Sequence, residues 1–218
     1  SDRKKAIHEA IMNLNTGKVI LCRDRLGQKP LFYKHEDNEL VFSTNLISLV
    51  KCLKLNKSDI SYGSLNKYIN LGVVPSPDTI FQNIYKVRPG SYLEFNLFKN
   101  IEFVQEIKYW NIENYIGENQ FSNQVFENLF YEACSVRTRS DVPFSSFLSG
   151  GIDSTAVTKN LNEVLDSVDT FSIVQKSPKY NEEKWVDFVA NKYNTNQEKV
   201  NISNNIYQNE ITHSIRAF

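Results

Sequence analysis

Leu148-Ser149-Gly150-Gly151-Ile152-Asp153-Ser154 stands between an apolar run, Val142 to Leu148, and a segment of helical periodicity from about Ser154 to Leu165. Ala156, Val157, Leu161 and Val164 fall on one stripe of that segment, so the stretch reads as strand, loop, helix. In a parallel sheet, ligands bind beyond the carboxyl ends of the strands, and Ser149 to Ser154 occupies such an end. Gly150 and Gly151 have no Cβ, so their backbone can approach a polyphosphate, and unpaired N–H groups at the start of the helix point toward anions. The hydroxyls of Ser149 and Ser154 add donors. Asp153 is awkward beside phosphate unless a divalent cation lies between them, which predicts magnesium (Mg2+) held through Asp153. The competing reading is a tight Gly-Gly turn with Asp153 and Ser154 as helix caps. The full Ser-Gly-Gly-x-Asp-Ser, flanked by strand and amphipathic helix, favours phosphate. No Gly-Lys-Ser/Thr ending follows, so this is not a Walker loop.

Working outward, Val168 to Val174 predicts another strand, Asn181 the cap of a helix bearing Trp185, Phe188 and Val189, and Lys199 to Ile202 a third strand. Strands alternating with helices predict a parallel, doubly wound sheet. Before the loop, Phe126, Leu129, Phe130 and Ala133 recur at helical spacing up to about Arg137 and Arg139. Ser122 is the N-cap there, and Phe121 is placed to pack on Phe126 as a hydrophobic staple. Ile206 to Phe218 reads as a further helix with no closing signal. Earlier in the chain the period is two. Lys18 to Cys22 reads as a strand; Leu31 to Lys34 and Leu40 to Ser43 form a hairpin across the polar bend His35 to Glu39. Ser91 to Leu97 and Ile101 to Ile107 form another around Lys99-Asn100, after a turn at Pro89-Gly90. Short helices are expected at Leu46 to Leu53 and at Ser64 to Leu71, the latter closed by Gly72. The polar run Asn111 to Gln120 divides the chain into 1–110, a linker at 111–120, and 121–218.

Composition limits what these elements do. The chain has 218 residues, of which 41% are hydrophobic and 12% aromatic, and this excludes disorder as its general state. Twenty-five basic residues balance 25 acidic ones, which argues against nucleic acid or an anionic membrane as partner and for small molecules. Cys22, Cys52 and Cys134 lack paired spacing, which argues against a disulfide framework or zinc and for a reducing, cytoplasmic setting. No apolar stretch approaches the roughly 20 residues that span a bilayer. A charged start without methionine and an unclosed final helix suggest a fragment.

Taken together, the motifs resemble a known family. The loop is similar to that of the ATP pyrophosphatases (PP-loop enzymes), which split ATP between the α and β phosphates and share adenylation as their reaction. Arg23-Asp24-Arg25-Leu26-Gly27-Gln28-Lys29-Pro30-Leu31, then Leu40-Val41-Phe42-Ser43-Thr44, resembles the glutaminase domain of asparagine synthetases. Tyr68 to Phe81, Val87-Arg88-Pro89-Gly90, Tyr109-Trp110, Arg139 to Pro143, Thr170-Phe171-Ser172-Ile173 and Tyr180-Asn181-Glu182 extend the resemblance over nearly the whole chain after about Ile11.

The resemblance implies an α+β part followed by an α/β part. The first is the C-terminal portion of an N-terminal nucleophile hydrolase (glutamine amidotransferase) domain; the second is the first half of a doubly wound ATP pyrophosphatase domain. It implies a ligase of asparagine biosynthesis that uses glutamine or ammonia, aspartate, ATP and Mg2+, and it leaves a homodimer open. By the same resemblance Leu148 and Ile173 contact adenosine through their backbones, while Ser149, Gly150, Gly151, Asp153 and Ser154 bind phosphates. For Leu148 and Ile173 the alternative is plain strand core. For Arg23 and Asp24, the choice lies between a place near the glutamine site and bracing of a turn, and bracing is favoured.

The chain departs from the family at both ends. Residue 1 is serine where the family's mature N-terminal cysteine would be the nucleophile, and none of the three cysteines matches that position. The catalytic residues and the second phosphate loop, Ser-Gly-x-Gly-x-Asp-Glu, fall outside the chain. Glutaminase activity is therefore expected to be absent, and the isolated chain to be inactive and aggregation-prone. Rival readings are a β-lactam synthetase or lasso-peptide cyclase type of carboxylate-adenylating enzyme, and an inactive remnant.

Overall fold

The computed structural model describes residues 9–98, 100–117, 121–175, 181–202 and 211. The chain divides into two compact units, Ser1–Glu118 and Asn119–Phe218.

The first unit holds two antiparallel sheets. Strands β1 (Glu9–Asn13), β2 (Lys18–Cys22), β6 (Ser91–Asn96) and β7 (Glu102–Lys108) lie in the order β1-β2-β6-β7. The other sheet has the order β4-β3-β5, from β3 (Phe32–Glu36), β4 (Glu39–Ser43) and β5 (Tyr85–Lys86). Alternation along β2 and β6 turns Val19, Leu21, Leu93 and Phe95 into a core with Leu31 and Val87, on which Tyr33 and Leu40 of the second sheet pack. Phe32, Leu49 and Ile84 form a separate cluster beneath helix α1 (Leu46–Cys52), which Asn45 caps by accepting from the Ser48 N–H at 3.0 Å. Helix α2 (Tyr62–Leu71) starts at Ser61. It ends at Gly72, whose φ of 71° places it in the left-handed conformation that glycine adopts without a Cβ clash.

Some expectations need correction here. The bend between β3 and β4 is only Asp37-Asn38, both at positive φ, so His35 and Glu36 remain in β3 and Glu39 opens β4. Aspartate and asparagine tolerate this conformation, and a two-residue turn suits the twist of the hairpin. Strands β1 and β5 escaped the sequence reading. Residues 10–13 are all exposed and show no alternation, and β5 has two residues. The stretch 111–120 begins with a 3-10 turn, Ile112–Tyr115, and Tyr115 stacks on Trp110 at 5.7 Å.

The second unit is built on a parallel sheet in the order β10-β9-β8, from β8 (Ser145–Phe147), β9 (Asp169–Gln175) and β10 (Asn196–Ile202). Helix α3 (Asn123–Arg137) precedes it; α4 (Ile152–Val164) and α5 (Glu183–Tyr193) make the crossovers. Among the described residues the strand order runs one way, whereas a doubly wound sheet also has a point of reversal. β8 is shorter than the expected Val142 to Leu148: pairing with β9 covers Ser145 to Phe147, and Pro143 has no N–H to give a ladder.

The Phe121–Phe126 staple forms, with ring centres 6.2 Å apart. Yet the stripe of α3 is rotated from the expected one. Of the expected positions Phe126, Leu129 and Ala133 are exposed, while Phe130 holds its place and packs, with Cys134 in place of the others, against Leu161, Val157 and Val168. Leu148 packs under α5 against Val186, Val189 and Ala190. Phe147, Ile173 and Val200 lie on the opposite, exposed face of the sheet. Of the expected helix Ile206 to Phe218, Ile211 is described and helical; the other residues lie outside the described ones.

Candidate functional site

The loop after β8 gathers the donors that the sequence suggested. Strand pairing carries on to Leu148, whose N–H donates to the Phe171 carbonyl at 2.9 Å, and then the backbone leaves the sheet. The Ser149 and Ser154 hydroxyls lie 3.0 Å apart, and Ser154 Oγ also meets the Ser149 N–H at 3.3 Å and the Gly151 carbonyl at 3.2 Å. The Gly151 N–H reaches Ser149 Oγ at 3.4 Å. These contacts are long and mostly within a few residues, so a stronger acceptor can replace them at small cost.

Gly151 is the N-cap of α4 and has no side chain to accept from the first turn. The opening N–H groups of that helix are left for an external acceptor, at the positive end of a thirteen-residue helix dipole. This describes a place for an anion.

Gly150 is fixed by more than its neighbours in sequence. Its φ is 76°, and a Cβ built on it would stand 2.7 Å from Trp185 Cβ and 3.0 Å from the Val186 nitrogen, so the loop rests on the first turns of α5. Trp185 itself is 57% exposed, with Lys184 Nζ 5.6 Å from the centre of its indole ring. Sequence reasoning missed α5 as the support of the loop. Thirty-four residues separate Trp185 from Gly150, and nothing in the spacing joins them.

Of the remaining candidates, Asp153 is exposed in the first turn of α4, beside the loop. Leu148 is 1% exposed with its side chain in the core, so only its backbone is available to a ligand. Ile173 lies further along β9 and is 56% exposed on the face away from Leu148. The loop, Leu148 and Asp153 thus come together, whereas the side chains of Leu148 and Ile173 point to opposite faces of the sheet. Among the described residues no group of three or more His, Cys, Asp or Glu side chains is placed to hold a metal by itself.

The turn in the first unit that carries Arg23 and Asp24 has a different character. The Arg23 guanidinium donates to the carbonyls of Lys29 at 2.9 Å, Gly27 at 2.9 Å and Val87 at 2.8 Å, and the residue is 8% exposed. Burial lowers its pKa, and the Asp24 charge offsets part of that. Asp24, 3% exposed, accepts from the N–H groups of Gln28 at 2.9 Å and Lys29 at 3.2 Å. Burial pushes its pKa up, but the backbone N–H groups of Gln28, Lys29 and Leu26 and the Arg23 charge together hold it below the usual carboxylate range. Gly27, at a φ of 65°, lets the turn close on Pro89 and Arg23. Nearly every donor and acceptor faces inward, so this pair braces the turn. The buried Cys134 thiol is pushed up by burial, with Arg137 pulling it partly back, and is not poised as a nucleophile.

Residues 8–110 match the family model described as a glutamine amidotransferase domain, and residues 125–218 match that described as asparagine synthase. A provisionally named glutamine-hydrolysing asparagine synthetase 2 of Methanocaldococcus jannaschii is 33% identical over 190 residues, covering 85% of this chain and 36% of the relative. Asparagine synthetase 1, glutamine-hydrolysing, of Bacillus subtilis is 32% identical over 163 residues, 75% of this chain and 25% of the relative. The amidase chry2 of Gibberella zeae is 30% identical over 155 residues, 66% of this chain and 21% of that protein. The chain therefore spans about a third or less of the length of these relatives.

Proposed function

The chain belongs to the glutamine-hydrolysing asparagine synthetase family, and we propose that its protein converts aspartate to asparagine with ATP, in the cytoplasm, using ammonia released from glutamine. The observation that carries this reading is the cluster of donors at the end of β8, where Ser149 Oγ, Ser154 Oγ and the uncapped start of α4 converge. Leu148 and Ile173 offer backbone groups to the adenosine. Ser149, Gly150, Gly151 and Ser154 hold the β and γ phosphates, which leave as pyrophosphate.

In the first reaction a β-carboxylate oxygen of aspartate attacks the α phosphorus and the α–β bond breaks, giving β-aspartyl-AMP. In the second, ammonia attacks the acyl carbon and AMP departs. The loop serves the first step by donating N–H and O–H bonds to a leaving group whose charge grows, in a geometry fixed before ATP arrives. Bound magnesium would neutralise phosphate charge. Asp153, a single exposed carboxylate beside the loop, fits as one ligand of an ion that takes its other oxygens from phosphates and water. The remainder of a doubly wound sheet would complete the acceptor side.

Positional isotope transfer tests this reading on the full-length protein. With aspartate labelled by heavy oxygen in the side-chain carboxylate, one labelled oxygen should appear in AMP, and pyrophosphate release should require aspartate. Pyrophosphate release that ignores aspartate would sink the assignment. The similarity to chry2, which is named an amidase and not an asparagine synthetase, shows that the likeness extends beyond proteins named for asparagine, and the second reading is a related amide-forming enzyme that adenylates another carboxylate. Label transfer from that acid and not from aspartate would select it.

A further inference from the structure

On the phosphate-loop reading above, what holds the loop in shape becomes a question about α5. Gly150 sits against Trp185 and Val186, and Leu148 against Val186, Val189 and Ala190, so the backbone on both sides of Ser149 takes its position from this helix. At its opening α5 has no side-chain cap bond from its N-cap residue, Glu182; the Asn181 side chain accepts from the Glu183 N–H at 2.8 Å. The strong tie lies elsewhere. Lys199 of β10 places Nζ 3.0 Å from Glu183 Oε1 and 2.6 Å from Asp187 Oδ1, spanning the first two turns of α5 with one ammonium group. Lys199 is in register with Ser172 on β9, whose buried hydroxyl has no partner, and Leu148 follows the last residue of β8 paired to β9. The Ser172 hydroxyl therefore makes no polar tie from β9 to α5.

We propose that Lys199 is a positioning residue for the phosphate loop: it clamps Glu183 and Asp187 so that Trp185 and Val186 present the surface on which Gly150 takes its left-handed conformation. Lys199 touches no reacting atom in this role. An isolated surface ion pair contributes little. Here one partly shielded ammonium serves two carboxylates, and the segment between them is the one that touches Gly150.

The test compares Lys199→Met and Lys199→Arg in the full-length protein by two readouts: hydrogen exchange of the loop peptide without nucleotide, and calorimetric titration with ATP and magnesium. In Lys199→Met, exchange over residues 148–154 is expected to quicken about tenfold and ATP affinity to fall about three- to tenfold, as for a coupled but non-contacting site. Arginine is expected to restore both to within about twofold, since it keeps the charge and both acceptors. Exchange in α3 is expected to stay as in the wild type. Unchanged loop exchange in Lys199→Met overturns the positioning role even where ATP binds normally. So does loosening of α3 together with the loop, or failure of arginine to rescue. Absence of ATP binding by the wild-type protein instead overturns the phosphate-loop reading itself.

Discussion

Two turns in this chain have similar ingredients and opposite purposes. Both the Arg23-to-Leu31 turn and the Ser149-to-Ser154 loop combine glycine at positive φ with charged or hydroxyl side chains. In the first, the guanidinium and the carboxylate are matched, bond by bond, to carbonyls and N–H groups of the same unit. In the second, the two hydroxyls meet one another and the loop's own backbone, the backbone contacts at 3.2–3.4 Å, and the helix start has no side-chain cap. A polar turn whose groups are satisfied is architecture; one whose donors are left over is a place for a ligand.

That contrast breaks most forcefully at Arg23. Arg23→Met leaves three carbonyls without their donor and Asp24 without its countercharge, and should destabilise the first unit by about 3–5 kcal/mol. Hydrogen exchange of peptides from the first unit, followed with temperature, should show the loss, while ATP affinity of the folded protein stays unchanged. A drop in ATP affinity of the folded protein would give Arg23 a role beyond bracing.

Gly150→Ala is the counterpart in the second unit. The left-handed backbone and the 2.7 Å approach to Trp185 Cβ leave no room for a methyl group. A roughly 100-fold loss of ATP affinity is expected, about 2.7 kcal/mol. Calorimetry decides it, and near-normal binding would mean that the loop does not need this conformation.

Asp24→Asn should cost about 2 kcal/mol, with a signature in acid. The folded pKa of Asp24 lies below its unfolded value, so its contribution is present above about pH 4 and is lost as pH falls through the folded value. The variant should flatten the acid limb of the stability curve of the first unit, and a limb that remains parallel to the wild type would refute the assignment. Smallest is Ser154→Ala. ATP affinity should fall about tenfold, while stability changes by less than about 1 kcal/mol, because the contacts of that hydroxyl are weak when no acceptor is bound. A larger stability effect than binding effect would make Ser154 a cap.

Much of this was legible along the chain. β2 was read to the residue, since buried and exposed positions alternate within it, and α1, α2 and the staple of α3 follow from caps and apolar spacing. β1 was not legible because all its described side chains are exposed and alternation has no meaning there. The rotated stripe of α3 was misread because apolar spacing gives a face but not which neighbour will cover it. The loop could be recognised because its chemistry is local: glycines, hydroxyls and a helix start lie within a few residues of one another.

The sequence by itself determined the order of the strands and helices other than β1 and β5, the change of period between the two units, and the composition of the Ser149-to-Ser154 loop. Each depends on interactions of short range along the chain. Only the tertiary structure decided that Arg23 and Asp24 are satisfied, that Leu148 and Ile173 face opposite sides of the sheet, and that Gly150 leans on an α5 clamped by Lys199. Those facts depend on groups distant in sequence meeting in space, and burial and hydrogen-bond partners are fixed only when such contacts close.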